Sequence, residues 1–391
     1  KIAWNDTTRF PYDTFVWKGI DGSSVITHYN AIHCVPDPKT LNDQWNWVQH
    51  KDVQDRRLSS FGWGDGGGGP EAEMIEIARL VQDLEGCPRA TYTTVGAFME
   101  GIETELTDLP EWVGELYLEA HRGTLTSIAQ IKRGNRKAEF AMRDAEFLSV
   151  LAALQGQAYP AGEFLALWKG LLTHQFHDIL PGSSIAEVND EAVVAFAGTI
   201  KGAQALSLRA LSALAGEGTS ERWLLANSLS WDRGGEITWV GAPSGTRPAD
   251  ETIAAQWVED PAGSSRLVLA GLTLPALGGC VVDLEPGEPG GDTPFVVTDD
   301  GVVTPYATVH FDSRGRIDSF VDKATQREIV RPGAALNTLL LGEDIPGHWD
   351  NWDIDRDQRL KMRDDSQLVS RDVVANGPLQ LRIRSTYRIG R

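Results

Sequence analysis

Residues 168–184 read Trp168-Lys-Gly-Leu-Leu-Thr-His-Gln-Phe-His-Asp-Ile-Leu-Pro-Gly-Ser-Ser184, and they join an apolar helical run to a polar turn. Apolar residues recur about three and four positions apart from Phe164 onward, which predicts one buried helix face that ends at the Pro-Gly pair. His174 and His177 are three positions apart and can share a face of this helix. An imidazole followed at once by the Asp178 carboxylate can ligate a metal ion or hold a polar substrate.

Two interpretations of this stretch are open from its residues alone. It is either a site, or a capped helix with half-buried histidines, as most isolated polar residues are structural. The string Gln175-Phe-His-Asp-Ile-Leu-Pro-Gly-Ser-Ser184 resembles the His-Asp segment of the glycoside hydrolase family 38 α-mannosidases. The resemblance implies that His177 is a zinc ligand, that Asp178 contacts sugar hydroxyls and that His174 packs or caps.

Length and composition limit the class of protein. At 391 residues the chain is too long for one core, which predicts two or three domains. A formal net charge of −19 argues against a nucleic-acid partner, because phosphates would be repelled, and it is compatible with a neutral sugar. No apolar run is long enough to predict a membrane span.

The three cysteines, Cys34, Cys87 and Cys280, lie far apart without metal-binding spacing. This usage argues against a disulfide framework and against a cysteine zinc site. It predicts a reducing compartment, the cytoplasm. A homo-oligomer is left open by the sequence.

Residues 15–29 read as two strands around the turn Asp21-Gly22. The chain begins without an initiator methionine, at a strand-like Ile2. The segment resembles the part of family 38 that follows its nucleophile loop. We therefore expect the first zinc-binding strand and the nucleophile upstream of residue 1, and the numbered chain alone to be inactive.

A glycine-rich turn, Phe61-Gly-Trp-Gly-Asp-Gly-Gly-Gly-Gly-Pro70, precedes an amphipathic helix predicted over 71–82. Ligands bind at such strand–turn–helix units in α/β folds. A phosphate loop is the obvious rival, but no Gly-Lys-Ser/Thr follows, and Glu71 and Glu73 would repel phosphate.

Asp65 is the one carboxylate within that turn. A poorly hydrated turn favours its neutral form, which suits a general acid. The alternative is that Asp65 only organises the turn by bonding to backbone amides. The turn resembles the cytosolic and bacterial branch of family 38, and that resemblance implies that Asp65 is the acid/base.

Gly114-Glu-Leu-Tyr-Leu-Glu-Ala-His-Arg-Gly-Thr-Leu-Thr-Ser127 runs from a strand-like pattern into a turn. It resembles a family turn in which the position of His121 borders the sugar subsite. The next helix, Ile128–Leu154, carries a set of basic residues that predicts a solvated face: Lys132, Arg133, Arg136 and Lys137.

Helical periodicity covers Ile128–Leu154, Glu163–His174 and Ile185–Leu214, and short connections predict an antiparallel three-helix bundle. After Arg222 short β-like runs predict sandwiches. A hairpin is predicted over Ala307–Asp322, with its turn at Arg314-Gly315.

The loop His348-Trp-Asp-Asn-Trp-Asp-Ile-Asp355 is the last polar cluster. His348 and Asp350 would share one face if it were a strand, and could then bind a metal. The favoured interpretation is a β-domain loop packing toward the catalytic face. Sugar contact and plain packing stay open for its aromatic and acidic members, Trp349, Asp350, Trp352 and Asp353.

The sequence therefore predicts a multidomain α/β, α and β protein. It has the end of an α/β, barrel-like catalytic domain over 1–95, a three-helix bundle over 96–218, a small β domain over 219–290 and the start of a large β-sandwich domain over 291–391. The resemblance implies retaining hydrolysis of terminal α-mannosides by two carboxylates, with Zn²⁺ or Co²⁺ as the metal. The alternatives are a non-catalytic carbohydrate-binding protein or inactive remnant, and a different zinc hydrolase, which would need a third ligand within these residues.

Overall fold

The computed structural model of the chain describes residues 10–64, 67–116, 121–216, 221–235, 237–259 and 263–390. The chain divides into two compact units, Lys1–Gly123 and Thr124–Arg391. Helices and several sheets occur together, so the predicted mixed fold class is confirmed at that level. The predicted domain boundaries stay predictions, and the division between the units falls later than the one predicted after residue 95.

The first unit combines small sheets with three helices. Its elements are β1 (Thr14–Lys18), β2 (Ser24–His28), β3 (Ala31–Cys34), α1 (Pro38–Asn46), β4 (Ser59–Phe61), α2 (Ala72–Leu80), α3 (Val95–Glu105) and β5 (Glu111–Val113).

The described strands of the first unit pair in two ways, as an antiparallel hairpin and as parallel pairs. Strands β1 and β2 form the predicted hairpin, and Gly22 takes the left-handed conformation that its turn requires, with a φ of 87°. Strand β5 pairs with β1 in parallel, and β4 pairs with β3 in parallel. Parallel pairs need helical crossovers and are typical of α/β folds. The barrel-like arrangement stays a prediction.

Three long helices open the second unit: α4 (Ala129–Leu154), α5 (Ala161–His174) and α6 (Ala186–Ala215). A 3₁₀ turn at Arg122–Leu125 comes before them. The observed bounds confirm the three predicted helices to within two residues. They pack around one apolar core because each contributes a stripe of buried side chains, among them Ile131, Met142, Phe164, Leu171, Phe196 and Ala203.

Two three-stranded sheets follow, with the orders β7-β10-β9 and β6-β11-β8. The strands are β6 (Arg222–Ala226), β7 (Ile237–Val240), β8 (Thr246–Pro248), β9 (Ala254–Glu259), β10 (Ser265–Ala270) and β11 (Gly279–Pro286). Leu267 and Leu269 of β10 belong to one buried cluster with Val282 and Leu284 of β11. Alternate residues of each strand thus face a shared core, as in a sandwich.

The last region carries a five-stranded antiparallel sheet and a long hairpin. Its elements are β12 (Val296–Val297), β13 (Gly301–Val303), β14 (Ala307–Phe311), β15 (Ile317–Asp322), β16 (Arg327–Glu328), α7 (Gln358–Lys361), β17 (Ser366–Asn376) and β18 (Leu381–Ile389). Strands β14 and β15 form the predicted hairpin around Gly315, whose φ is 80°. None of the described helices has the length and apolar character needed to cross a bilayer.

Candidate functional site

Helix α5 ends at His174, so His177 lies beyond the helix and the two histidines do not share a helix face. The Gln175 amide donates to the carbonyl oxygens of both Leu171 and Leu172, which closes the last turn. His174 Nδ1 lies 2.8 Å from the Gly170 carbonyl oxygen, and its ring packs against Phe196 with 5.7 Å between centroids. The predicted shared face is therefore wrong, because the chain leaves the helix between His174 and His177.

His177 and Asp178 lie in the turn that follows α5. The His177 side chain is 75% exposed, and its Nε2 lies 3.5 Å from Asp178 Oδ2. Asp178 Oδ1 accepts a hydrogen bond from Ser183 Oγ at 3.2 Å, and the Asp178 carbonyl oxygen accepts one from Ser184 Oγ at 2.8 Å. These bonds fold the turn back on itself. They leave the His177 ring and part of the Asp178 carboxylate open to a ligand.

Lys132 fixes this turn to the start of α4. Its ammonium donates to the Pro181 carbonyl oxygen at 2.6 Å and also to the Ser127 carbonyl oxygen. Burial lowers the pKa of Lys132. The prediction that Lys132 lies on a solvated face is wrong, because its side chain turns toward these two carbonyls, whereas Arg133, Arg136 and Lys137 are exposed.

The loop around residues 348–353 is linked to the same end of the helices. Ser127 Oγ donates to the Asn351 carbonyl oxygen at 3.1 Å. Within the loop the Trp349 and Trp352 rings stack, with centroids 6.2 Å apart and planes 19° apart. The amides of Trp352 and Asp353 both donate to the Trp349 carbonyl oxygen, and Asp350 Oδ1 accepts from the Asn351 amide at 3.0 Å. The strand-based metal pair of His348 and Asp350 is wrong, since this segment contains no strand.

The second unit thus brings together two of the predicted groups. The His177–Ser184 turn and the 348–353 loop are joined through Lys132 and Ser127. Sequence reasoning missed Lys132, Ser127 and Asn351 as parts of this arrangement. One signal was available for Lys132. A cation in the first turn of a helix is unfavourable next to the helix dipole, which indicates that other contacts stabilise it.

A metal ion requires more donors than this turn supplies. Zinc sites use three or four nitrogen, sulfur or oxygen ligands. In the described part of the chain no group of three or more His, Cys, Asp or Glu side chains is placed to hold a metal ion. His177 and Asp178 therefore fit one edge of a metal site and do not make a complete one.

The remaining predicted residues belong to the first unit or lie outside the description. Asp65 lies outside the described residues. His121 is half-buried in a left-handed conformation with a φ of 73°. Two clefts of about 600 and 760 Å³ open in the first unit, and neither is lined by a residue predicted for the site.

Family models match the chain in order. Residues 1–115 match the glycosyl hydrolases family 38 N-terminal domain, residues 119–214 the alpha mannosidase middle domain and residues 302–391 the glycosyl hydrolases family 38 C-terminal domain. The turn that contains His177 lies within the middle-domain match.

The curated relatives that the chain matches here are longer than the chain. Human alpha-mannosidase 2C1 is 34% identical over 93% of this chain and 34% of its own length. Alpha-mannosidase G of Dictyostelium discoideum is 27% identical over 90% of this chain and 36% of its own length. The chain spans about a third of the length of these relatives. A solved alpha-mannosidase from Enterococcus faecalis V583 shares the fold, with a TM-score of 0.60 at 14% identity, over 96% of this chain and 49% of that one.

Proposed function

The chain belongs to glycoside hydrolase family 38, and we propose that it forms part of a retaining α-mannosidase that removes terminal α-D-mannose from oligosaccharides. The observation that carries this proposal is the ordered match of three family domains along one chain. The turn at His177 and the linked loop at 348–353 support it. They present an imidazole, carboxylates and stacked aromatic rings at one end of the helices.

His177 and Asp178 would share recognition of the sugar and the metal. His177 Nε2 would give one ligand to Zn²⁺ or Co²⁺, and the described residues supply no complete site by themselves. When bound, the ion would polarise and position sugar hydroxyls. Asp178 would accept hydrogen bonds from those hydroxyls, because Ser183 and Ser184 already fix its carboxylate and carbonyl.

Asp65 would donate a proton to the leaving oxygen and then withdraw one from water. Retaining hydrolysis needs a second carboxylate, about 5 Å from the first, that attacks the anomeric carbon. The resemblance assigns that nucleophile to no residue of this chain. Asp178 and Asp350 are the two carboxylates to test if turnover is found with these residues alone.

Trp349 and Trp352 would form the aromatic part of the sugar contact. Trp349 is 62% exposed, so part of the residue is open to solvent beside its stacked partner Trp352. Apolar faces of sugar rings stack on such surfaces. Asp350, Asp353 and His121 would contribute polar contacts. A reducing, cytoplasmic compartment stays a prediction that the free thiols of Cys87 and Cys280 support, and self-association stays open.

The experiment is a comparison of nitrophenyl glycosides with the whole protein. We expect release from the α-mannoside and little from the β-mannoside, α-glucoside or α-galactoside, with α-mannose as the first product by NMR. Calorimetry with mannose oligosaccharides tests the alternative function that the sequence left open. Binding without turnover would favour a non-catalytic carbohydrate-binding protein, and neither binding nor turnover would contradict the proposal.

A further inference from the structure

Lys132 occupies a position that its own helix disfavours. It lies in the first turn of α4, where the backbone dipole opposes a positive charge, and α4 has no acidic residue in that turn to offset it. Its side chain is also half-buried, and desolvation disfavours the charged ammonium. A charge kept in such a place requires compensating contacts.

The compensating contacts connect three separate segments of the chain. The ammonium donates to the carbonyl oxygens of Ser127 and Pro181, and Ser127 Oγ donates to the Asn351 carbonyl oxygen. None of the three acceptor carbonyls lies in a helix or strand. Lys132 and Ser127 therefore supply donors to backbone groups that secondary structure leaves unpaired.

Strained backbone conformations occur in two of these three segments. Ile128 has a φ of 48°, Trp349 of 55° and Asn351 of 64°. Left-handed conformations are uncommon for residues other than glycine, and most costly for a β-branched residue such as Ile128. Gly182 takes a φ of 80°, and a β-carbon there would lie 3.2 Å from Lys132 Nζ. Such strain persists where surrounding contacts hold it, and it is frequent at ligand sites.

We propose that Lys132 is a positioning residue for carbohydrate recognition, which sets the His177–Ser184 turn and, through Ser127, the 348–353 loop in their binding arrangement. This inference rests on the proposed function for the sugar, and on the structure for the link between the segments. Lys132 itself touches neither substrate nor metal. Its loss frees the two segments that carry Asp178 and the Trp349–Trp352 pair.

The test is Lys132→Met in the whole protein, with Lys137→Met as the matched control on the exposed face of α4. Backbone hydrogen exchange should become about tenfold faster in 176–184 and 348–353, the effect of losing one hydrogen bond to a charged group, and should stay unchanged in the helix core. KM for an α-mannoside should rise about tenfold, with kcat changed less. Lys132→Arg keeps the charge and donors and should restore part of the affinity.

The outcomes separate this inference from the proposed function. Unchanged exchange in both segments overturns the role of Lys132, whether or not the protein hydrolyses mannosides. Faster exchange with an unchanged KM in an active enzyme shows a purely structural role and also overturns it. In a protein without mannosidase activity, the affinity for mannose oligosaccharides replaces KM. If Lys132→Met does not fold, Ser127→Ala decides, since it should release only the 348–353 loop and raise KM.

Discussion

Gly182 approaches Ser127 so closely that a β-carbon on Gly182 would lie 2.8 Å from the Ser127 carbonyl oxygen. Gly182 also has a φ of 80°, a backbone conformation that residues other than glycine rarely adopt. Space and backbone conformation therefore both require glycine at the end of the His177 turn.

Gly182→Ala should destabilise the protein by about 1–3 kcal/mol, because it adds a clash to an incompatible backbone conformation. Gly170→Ala is the matched control, since Gly170 lies inside α5 with nothing near its β-carbon position. That control should be neutral or stabilising by up to about 1 kcal/mol. Urea unfolding of both variants measures the difference, and equal effects would contradict the close approach at Gly182.

Gln256 of β9 is hydrogen-bonded to the turn of the β17–β18 hairpin. Its Oε1 accepts from the amides of Leu379 and Gln380 at 3.0 and 2.8 Å, and its Nε2 donates to the Gln380 carbonyl oxygen at 2.9 Å. Gln256→Ala should cost about 2–4 kcal/mol, because it removes the acceptor of two half-buried backbone amides, whereas the Gln380 carbonyl oxygen keeps its hydrogen bond from the Gly377 amide. Gln367→Ala, at an exposed position on β17, should change the free energy of unfolding little. A loss below the error of the measurement in Gln256→Ala would remove Gln256 from this role.

His28 should make the first unit less stable in acid. Burial, with a smaller contribution from the Arg57 charge, lowers the pKa of His28 from 6.5 to about 4. Its Nδ1 lies 2.8 Å from Thr14 Oγ1, and its Nε2 accepts from the Leu58 amide at 3.3 Å. A proton on Nε2 would replace that acceptor by a donor. The folded state therefore favours the neutral ring.

The sign of the pH effect follows from that preference. Well above pH 6.5 the His28 ring is neutral in both the folded and the unfolded state, so its titration takes nothing from the free energy of unfolding. Between about pH 6.5 and pH 4 the unfolded state binds a proton that the folded state excludes, so about 3 kcal/mol is lost as the pH falls. His28→Gln removes this loss, and His50→Gln controls for the substitution. Urea unfolding at several pH values measures it, and equal slopes in wild type and His28→Gln would contradict the buried neutral histidine.

Helices and hairpins could be predicted because their signals are local. The spacing of apolar residues predicted the bounds of α4, α5 and α6 to within two residues. Gly22 and Gly315 indicated the positions of the two hairpin turns. The contacts of Lys132 could not be predicted. Pro181 lies 49 residues away and Asn351 lies 224 residues from Ser127, and in both cases the acceptor is a backbone carbonyl, which every residue carries.

Asp65→Asn should slow hydrolysis of mannosides with poor leaving groups at least 100-fold, roughly the contribution of a general acid. Aryl mannosides with activated leaving groups need no proton from the acid, so their glycosylation step should change much less. Rates across a leaving-group series measure this. An equal loss across the series would leave Asp65 as a residue that only organises its turn.

The most direct test of the central claim, that this chain contributes His177 to a metal-assisted α-mannosidase, measures bound metal and α-mannoside hydrolysis together in the whole protein. His177→Ala should lose both stoichiometric Zn²⁺ or Co²⁺ and turnover, because a missing ligand leaves the site open. His174→Gln is the control, since the His174 ring packs against Phe196 and its Nδ1 lies within hydrogen-bond distance of the Gly170 carbonyl oxygen of its own helix, and it should keep both. Unchanged metal content and turnover in His177→Ala would contradict the claim.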